Sequence, residues 1–221
     1  MKIKANKRIK WLKLGFFLLI VKPLVLIGLG LNIVNRQKLP TTGPLVIVAN
    51  HTSHLDTLVL MSLLPLKTLN KVRPIAAADY FMRNPLLRWF SIYCIDIIPF
   101  ERKAFKDTDQ LFSLCHQCLD QGDILILFPE GTRSSTEVRT FKLKRGIHLL
   151  MQKHPNIPVI PIILRGLGRA LPKGEALFVP FNCDVIIGDP IPFQSDSEIY
   201  LTTLEQTYQE LLKMAFTQPN A

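Results

Sequence analysis

Two short apolar runs, Leu45-Val-Ile-Val-Ala49 and Ile124-Leu-Ile-Leu127, constrain this fold more than any other feature of the chain. Unbroken apolar segments of four or five residues fit buried strands covered on both faces, as in an open α/β sheet. Each run ends in a polar cluster: Asn50-His-Thr-Ser-His-Leu-Asp56 after the first, and Phe128-Pro-Glu-Gly-Thr-Arg-Ser134 after the second. In open α/β sheets, ligands bind beyond the carboxyl ends of the strands. One cluster offers an imidazole and a carboxylate; the other offers a carboxylate, a glycine and a guanidinium. A base facing an arginine clamp suits chemistry on a hydroxyl of a phosphorylated molecule.

The rest of the chain alternates in the same way. Strands are predicted at 45–49, Val72–Ala77, Ile95–Phe100, 124–128, Val159–Leu164, Ala176–Pro180 and Asp184–Ile187. Helices are predicted from Ser53 to Leu64, across Tyr80–Tyr93 with a perturbation at Pro85, and over Thr108–Gln121, Arg145–Lys153 and Ser197–Phe216. The pattern gives an α/β fold: a single domain with a mixed, mostly parallel central sheet flanked by helices, preceded by an N-terminal membrane-attached helical segment. A chain of 221 residues accommodates one such domain and not two.

The net charge of +10 is concentrated at one end. Lys2, Lys4, Lys7, Arg8, Lys10, Lys13, Lys22, Arg36 and Lys38 all precede the first acid, Asp56. The remaining 18 basic and 17 acidic residues leave a balance of +1. A basic arm on a nearly neutral body points to anionic lipid headgroups, and no zinc-finger or aromatic RNA-binding signature supports nucleic acid. The arm leads into apolar residues 14–31, close to the ~20 residues that span a bilayer. Lys22-Pro23 interrupts that stretch with a charge and a helix breaker. A single span would also carry the domain to the far side of the membrane, since the lysines stay inside. Two short amphipathic or re-entrant helices hinged at Lys22-Pro23, lying in the cytoplasmic leaflet, reconcile these features better than a full span or a cleaved signal peptide. Residues 1–38 therefore form the basic arm with a membrane-anchoring helical hairpin or span, and 39–221 the catalytic domain.

Cys115-His-Gln-Cys118 resembles half a metal site, but Leu111, Leu114, Cys115, Cys118 and Leu119 form the apolar stripe of one helix, and no second pair completes a ligand shell. Core packing is the expected role, and free thiols suit a reducing compartment.

The spacing H-x4-D, His51 to Asp56, followed by Phe-Pro-Glu-Gly-Thr-Arg from Phe128 to Arg133, resembles the glycerolipid acyltransferase family, whose members include 1-acyl-glycerol-3-phosphate acyltransferases. Ile97-Ile-Pro-Phe-Glu-Arg102 resembles the family's second motif and Val159-Ile-Pro-Ile-Ile-Leu164 its fourth. The resemblance implies acyl transfer from acyl-CoA or acyl-carrier protein to 1-acyl-glycerol-3-phosphate, lysophosphatidic acid, giving phosphatidic acid. Another lysophospholipid or a lyso-ornithine lipid is the alternative acceptor, and thioester hydrolysis a more distant activity. By the same resemblance His51 is the base, Arg102 and Arg133 bind phosphate, and Glu130 binds the glycerol portion. No metal or organic cofactor is implied.

The residues support this chemistry independently. Imidazole titrates near working pH, so His51 is suited to take a hydroxyl proton. Asp56, in the first turn of a helix capped by Ser53, is suited to orient it. Gly131 permits the turn that presents its neighbours, and Thr132 and nearby backbone N–H groups are the candidates to stabilise a developing oxyanion. His54 reads as a residue at the substrate rim. Two departures bear on acceptor choice: Asp96 stands where many relatives have glycine, and the Phe-Lys-x-Gly element is matched only loosely by Leu143-Lys-Arg-Gly146.

Overall fold

The structure is a computed structural model that describes residues 7–77, 84–100, 108–133, 140–170 and 182–216. Seven strands form one sheet: β1 (Gly30–Val34), β2 (Leu45–Ala49), β3 (Val72–Ala77), β4 (Ile98–Phe100), β5 (Ile124–Leu127), β6 (Val159–Arg165) and β7 (Asn182–Ile187). Their order is β1-β7-β6-β2-β5-β3-β4. Every pairing is parallel except β6 with β7. The mixed, mostly parallel sheet expected from the alternation is present.

Strand β2 lies at the centre, between β5 and β6, and is buried over its whole length. Period-two alternation sends Leu45, Ile47 and Ala49 to one face and Val46 and Val48 to the other. The first face is covered by α2 (Leu55–Ser62) and the N-terminal helix. The second is covered by α5 (Thr108–Asp120), α6 (Gly146–Met151) and α8 (Ser197–Lys213). Short helices α3 (Leu66–Leu69), α4 (Pro85–Phe90) and α7 (Leu167–Ala170) fill the connections. The chain passes from β2 to β3 and from β5 to β6 on opposite sides, so the strand order reverses around β2. Crevices at such reversals hold ligands in α/β sheets.

The N-terminal segment differs from the hinged hairpin expected of it. Helical backbone begins with α1 (Lys7–Phe16) and continues through Lys22-Pro23 to residue 28, including π-helical turns at Phe17–Val21 and Leu24–Gly28. Its inward row is Lys13, Phe17, Val21, Val25 and Leu29, spaced by four. An α-helix has 3.6 residues per turn, so a row at strict i+4 spacing would drift; wider π turns bring the average closer to four and keep it on the sheet. Only the end of the apolar stretch leaves the helix: Gly30–Val34 is β1, paired in parallel with β7. Burying Phe17, Val21, Val25 and Leu29 at about 1.5–3 kcal/mol each gives roughly 6–12 kcal/mol, comparable to the whole stability of a domain. This segment is part of the core. Among the described residues, no helix is long and apolar enough to cross a membrane.

Lys13 is buried at the amino ends of the strands. Its Nζ donates to the Val72 carbonyl at 2.8 Å and lies 3.6 Å from Asp96. Arg73 pairs with Asp96 through Nη1 and with Asp123 through Nε at 3.0 Å. Burial lowers the Lys13 ammonium to about 8 despite the opposing pull of Asp96. Asp96 has φ +66°, a left-handed conformation that aspartate tolerates better than most side chains. A glycine at this position in the resembled pattern thus has a backbone reason, and here the carboxylate also joins an ion pair.

Pro85 initiates a helix; it does not perturb one. The Asn84 side chain accepts from the Leu86 N–H at 2.9 Å, and Pro85 occupies the first turn, where its missing N–H costs nothing. The four cysteines form no disulfide and are buried, with Cys115 and Cys118 on the core-facing side of α5. The expected segment Ala176–Pro180 lies outside the described residues.

Candidate active site

The loop leaving β2 is organised by the side chain of Asp56. One carboxylate oxygen, Oδ2, accepts from Thr52 N–H at 2.7 Å, Ser53 N–H at 2.9 Å and His51 Nδ1 at 2.8 Å. Helix α2 runs from Leu55, and the expected Ser53 cap is present as a capping box: Ser53 Oγ accepts from the Leu55 N–H at 3.3 Å while the Asp56 carboxylate reaches back to the Ser53 N–H. The aspartate satisfies donors that the loop would otherwise bury unpaired. Asp56 is fully buried, while the His51 side chain is 19% exposed. Since the carboxylate accepts, Nδ1 carries the proton and Nε2 is the remaining basic nitrogen.

Three further contacts hold His51. Its ring stacks on Phe128, with centroids 4.2 Å apart and planes inclined by 19°. Its backbone N–H donates to Glu130 Oε1 at 2.9 Å. Just before it, Asn50 closes the end of β2 against β6: Nδ2 donates to the Leu164 carbonyl at 2.8 Å, and Oδ1 accepts from the Leu164 N–H at 2.7 Å. This amide imitates one more ladder residue and fixes where the loop departs. Residue typing alone did not single out Asn50; an amide at the exit of a buried strand is the available signal.

The β5 loop supplies the opposite wall. Gly131 has φ +70°, and its N–H donates to the Phe128 carbonyl at 3.0 Å, closing a tight turn. That turn brings Glu130 to the His51 backbone. Burial raises the Glu130 carboxyl above its ordinary value, opposed by the His51 hydrogen bond. Arg133, half-buried, lies within electrostatic reach of His54. Partial desolvation, then Arg133 and His51, hold the His54 imidazole down at about 4, so it is neutral at physiological pH. Thr132 is exposed on the same turn. His51, Asp56, Glu130, Gly131, Thr132 and Arg133 thus share the carboxyl edge of β2 and β5. Arg102 lies outside the described residues. Glu130 has a role that its carboxylate type did not announce: it anchors the His51 backbone.

An imidazole held by a buried carboxylate can take a proton from a hydroxyl, and a nearby guanidinium can pair with an anion. Among the described residues, no group of three His, Cys, Asp or Glu side chains is arranged to hold a metal ion.

A family model described as Acyltransferase matches residues 30–165, from the first residue of β1 to the last of β6. The chain belongs to this acyltransferase family. The chloroplastic 1-acyl-sn-glycerol-3-phosphate acyltransferase of Arabidopsis thaliana is 30% identical over 163 residues, covering 73% of this chain and 43% of its own length. The 1-acyl-sn-glycerol-3-phosphate acyltransferase alpha of Mus musculus is 31% identical over 179 residues, covering 79% and 59%. This family member therefore spans about half the length of the curated relatives it matches. Its fold is similar to the crystal structure of the 1-acyl-sn-glycerophosphate acyltransferase PlsC from Thermotoga maritima, with a TM-score of 0.68 at 21% identity, covering 97% of this chain and 81% of that one. The α/β architecture, including the N-terminal helix and β1, is accordingly a shared fold.

Proposed function

We propose that this protein transfers a fatty acyl group from an acyl thioester, acyl-CoA or acyl-carrier protein, to the free hydroxyl of 1-acyl-glycerol-3-phosphate, releasing phosphatidic acid. The observation that carries the reading is the Asp56–His51 pair at 2.8 Å on the loop beyond the central strand. His51 Nε2 removes the hydroxyl proton as the oxygen attacks the thioester carbonyl. The resulting imidazolium is stabilised by Asp56 across Nδ1. Collapse of the tetrahedral intermediate breaks the C–S bond, and the imidazolium returns its proton to the departing thiolate. Positioned base catalysis of this kind contributes about 10²–10⁴-fold. The substrate hydroxyl takes the place that serine occupies in a hydrolytic triad, so no acyl-enzyme forms.

Arg133, with Arg102 by resemblance, grips the acceptor phosphate, to which a planar guanidinium can bond twice. Glu130 fixes the His51 backbone and borders the glycerol portion. The protein works on the cytoplasmic face of a membrane, held in one leaflet by its basic N-terminal segment. An acceptor screen with one labelled acyl thioester, read by mass spectrometry, tests the proposal. Phosphatidate formation that weakens in KM for Arg133→Ala supports it; equal use of acceptors with and without phosphate sinks the clamp, and fatty acid release alone sinks acyl transfer.

A further inference from the structure

The outward side of the N-terminal helix is as regular as its inward side. Trp11, Leu19 and Ile27 repeat every eight residues, midway between core positions, and are 75%, 75% and 86% exposed. Leu18 and Ile20 widen this apolar stripe. A second element lies beside it. The Phe16 and Phe90 rings meet edge to face at 5.1 Å, while Lys13 meets Asp96 at 3.6 Å, so residues 13–16 and 90–96 run alongside in opposite directions. On α4, Leu86 and Trp89 remain 74% and 46% exposed although Phe90 packs inward against Phe16. The chain has two tryptophans, and both stand on these neighbouring apolar surfaces.

We propose that α4 is a second membrane contact, with Leu86 and Trp89 entering the same anionic leaflet as the outward stripe of the N-terminal helix. The inference rests on the leaflet attachment proposed above and extends it to a segment between β3 and β4. Charge selects a bilayer as the occupant. No acid precedes Asp56, and none falls between Asp79 and Asp96, whereas exposed Arg88 sits between Leu86 and Trp89 and the arm carries Lys2, Lys4, Lys7, Arg8 and Lys10. Apolar side chains rimmed by cations, with tryptophan among them, match the chemistry of an anionic lipid interface. Two contacts side by side fix the tilt of the domain on the surface, which a single helix lying in the leaflet does not. The amino end of α4 leads back to the carboxyl end of β3, the edge of the sheet that also carries the His51 loop.

The test uses the full chain and vesicles of equal parts phosphatidylethanolamine and phosphatidylglycerol bearing brominated acyl chains. Trp11→Phe leaves Trp89 as the only indole, and Trp89→Phe leaves Trp11. Bromine quenching and a blue shift of both indoles are expected. Quenching of Trp11 with an unchanged Trp89 emission overturns the proposal and leaves attachment through the N-terminal helix alone. Silence of both indoles overturns the attachment as well, without bearing on the chemistry at His51. The double variant Leu86→Glu with Trp89→Glu should co-sediment about tenfold less tightly with the same vesicles. It should keep its turnover of a dispersed, short-chain acceptor, and undiminished co-sedimentation would contradict the second contact.

Discussion

Replacing Asp56 by asparagine separates the charge of this side chain from its geometry. All three donors, the His51 ring and the Thr52 and Ser53 N–H groups, meet a single oxygen, Oδ2. An amide oxygen can occupy that position and preserve the loop. The amide nitrogen then takes the place of Oδ1, which is buried and has no hydrogen-bond partner among the described residues. An unpaired buried donor costs about 1–3 kcal/mol, less than the 5–15 kcal/mol that holds a domain folded. The variant should fold, with a melting temperature several degrees lower. Its chemistry should suffer far more. An imidazolium and a carboxylate with charge centres about 4 Å apart interact by about 4 kcal/mol at an effective dielectric of about 20, and the neutral amide loses that term in the transition state. At 1.36 kcal/mol per decade, kcat should fall about 10³-fold with little change in the acceptor KM. Initial rates of acyl transfer, alongside a thermal melt, read both quantities. A folded Asp56→Asn protein with kcat within tenfold of the parent refutes the assignment of Asp56 to imidazolium stabilisation.

Glu130→Gln retains an acceptor for the His51 N–H, while Glu130→Ala removes it; a net hydrogen bond of about 1 kcal/mol predicts kcat for the alanine variant about fivefold below that of glutamine. His54 has a folded value of about 4 against 6.5 for a free imidazole, so between those limits the unfolded chain binds the extra proton. Acidification through that window should destabilise the protein, and His54→Gln should flatten the dependence of melting temperature on pH there; an unchanged slope counts against the neutral state. Deleting residues 1–38 removes β1 and the buried row from Phe17 to Leu29, so the product should be unfolded or aggregated by circular dichroism and not a released, active enzyme.

The elements that proved legible in the sequence are those written locally. Strands β2 and β5 were visible because both faces are buried and their residues are apolar without interruption. The pairing of His51 with Asp56 was visible because spacing and residue type both point to it. Strand β1 was not, since Gly30-Leu-Asn-Ile-Val34 continues an apolar run and its partner lies about 150 residues away in β7. The continuous helix through Lys22-Pro23 was hidden because its four-residue row suits neither ideal helical period. Pro85 read as a breaker because its position relative to Asn84, and not its identity, decides its effect. The buried Lys13 defied its residue type: one backbone carbonyl and the Asp96 carboxylate receive a charge that sequence assigns to solvent. The anchoring of His51 by Glu130 depends on a turn that brings residues 79 positions apart together.

The most direct test of the account compares the parent protein with His51→Ala in the transfer of a labelled acyl group from a thioester to lysophosphatidate. Labelled phosphatidate from the parent, with a rate at least about 10²-fold lower for the variant at unchanged fold, is the predicted result. Equal rates from the two proteins, or a labelled acyl group found covalently on the enzyme, would contradict it.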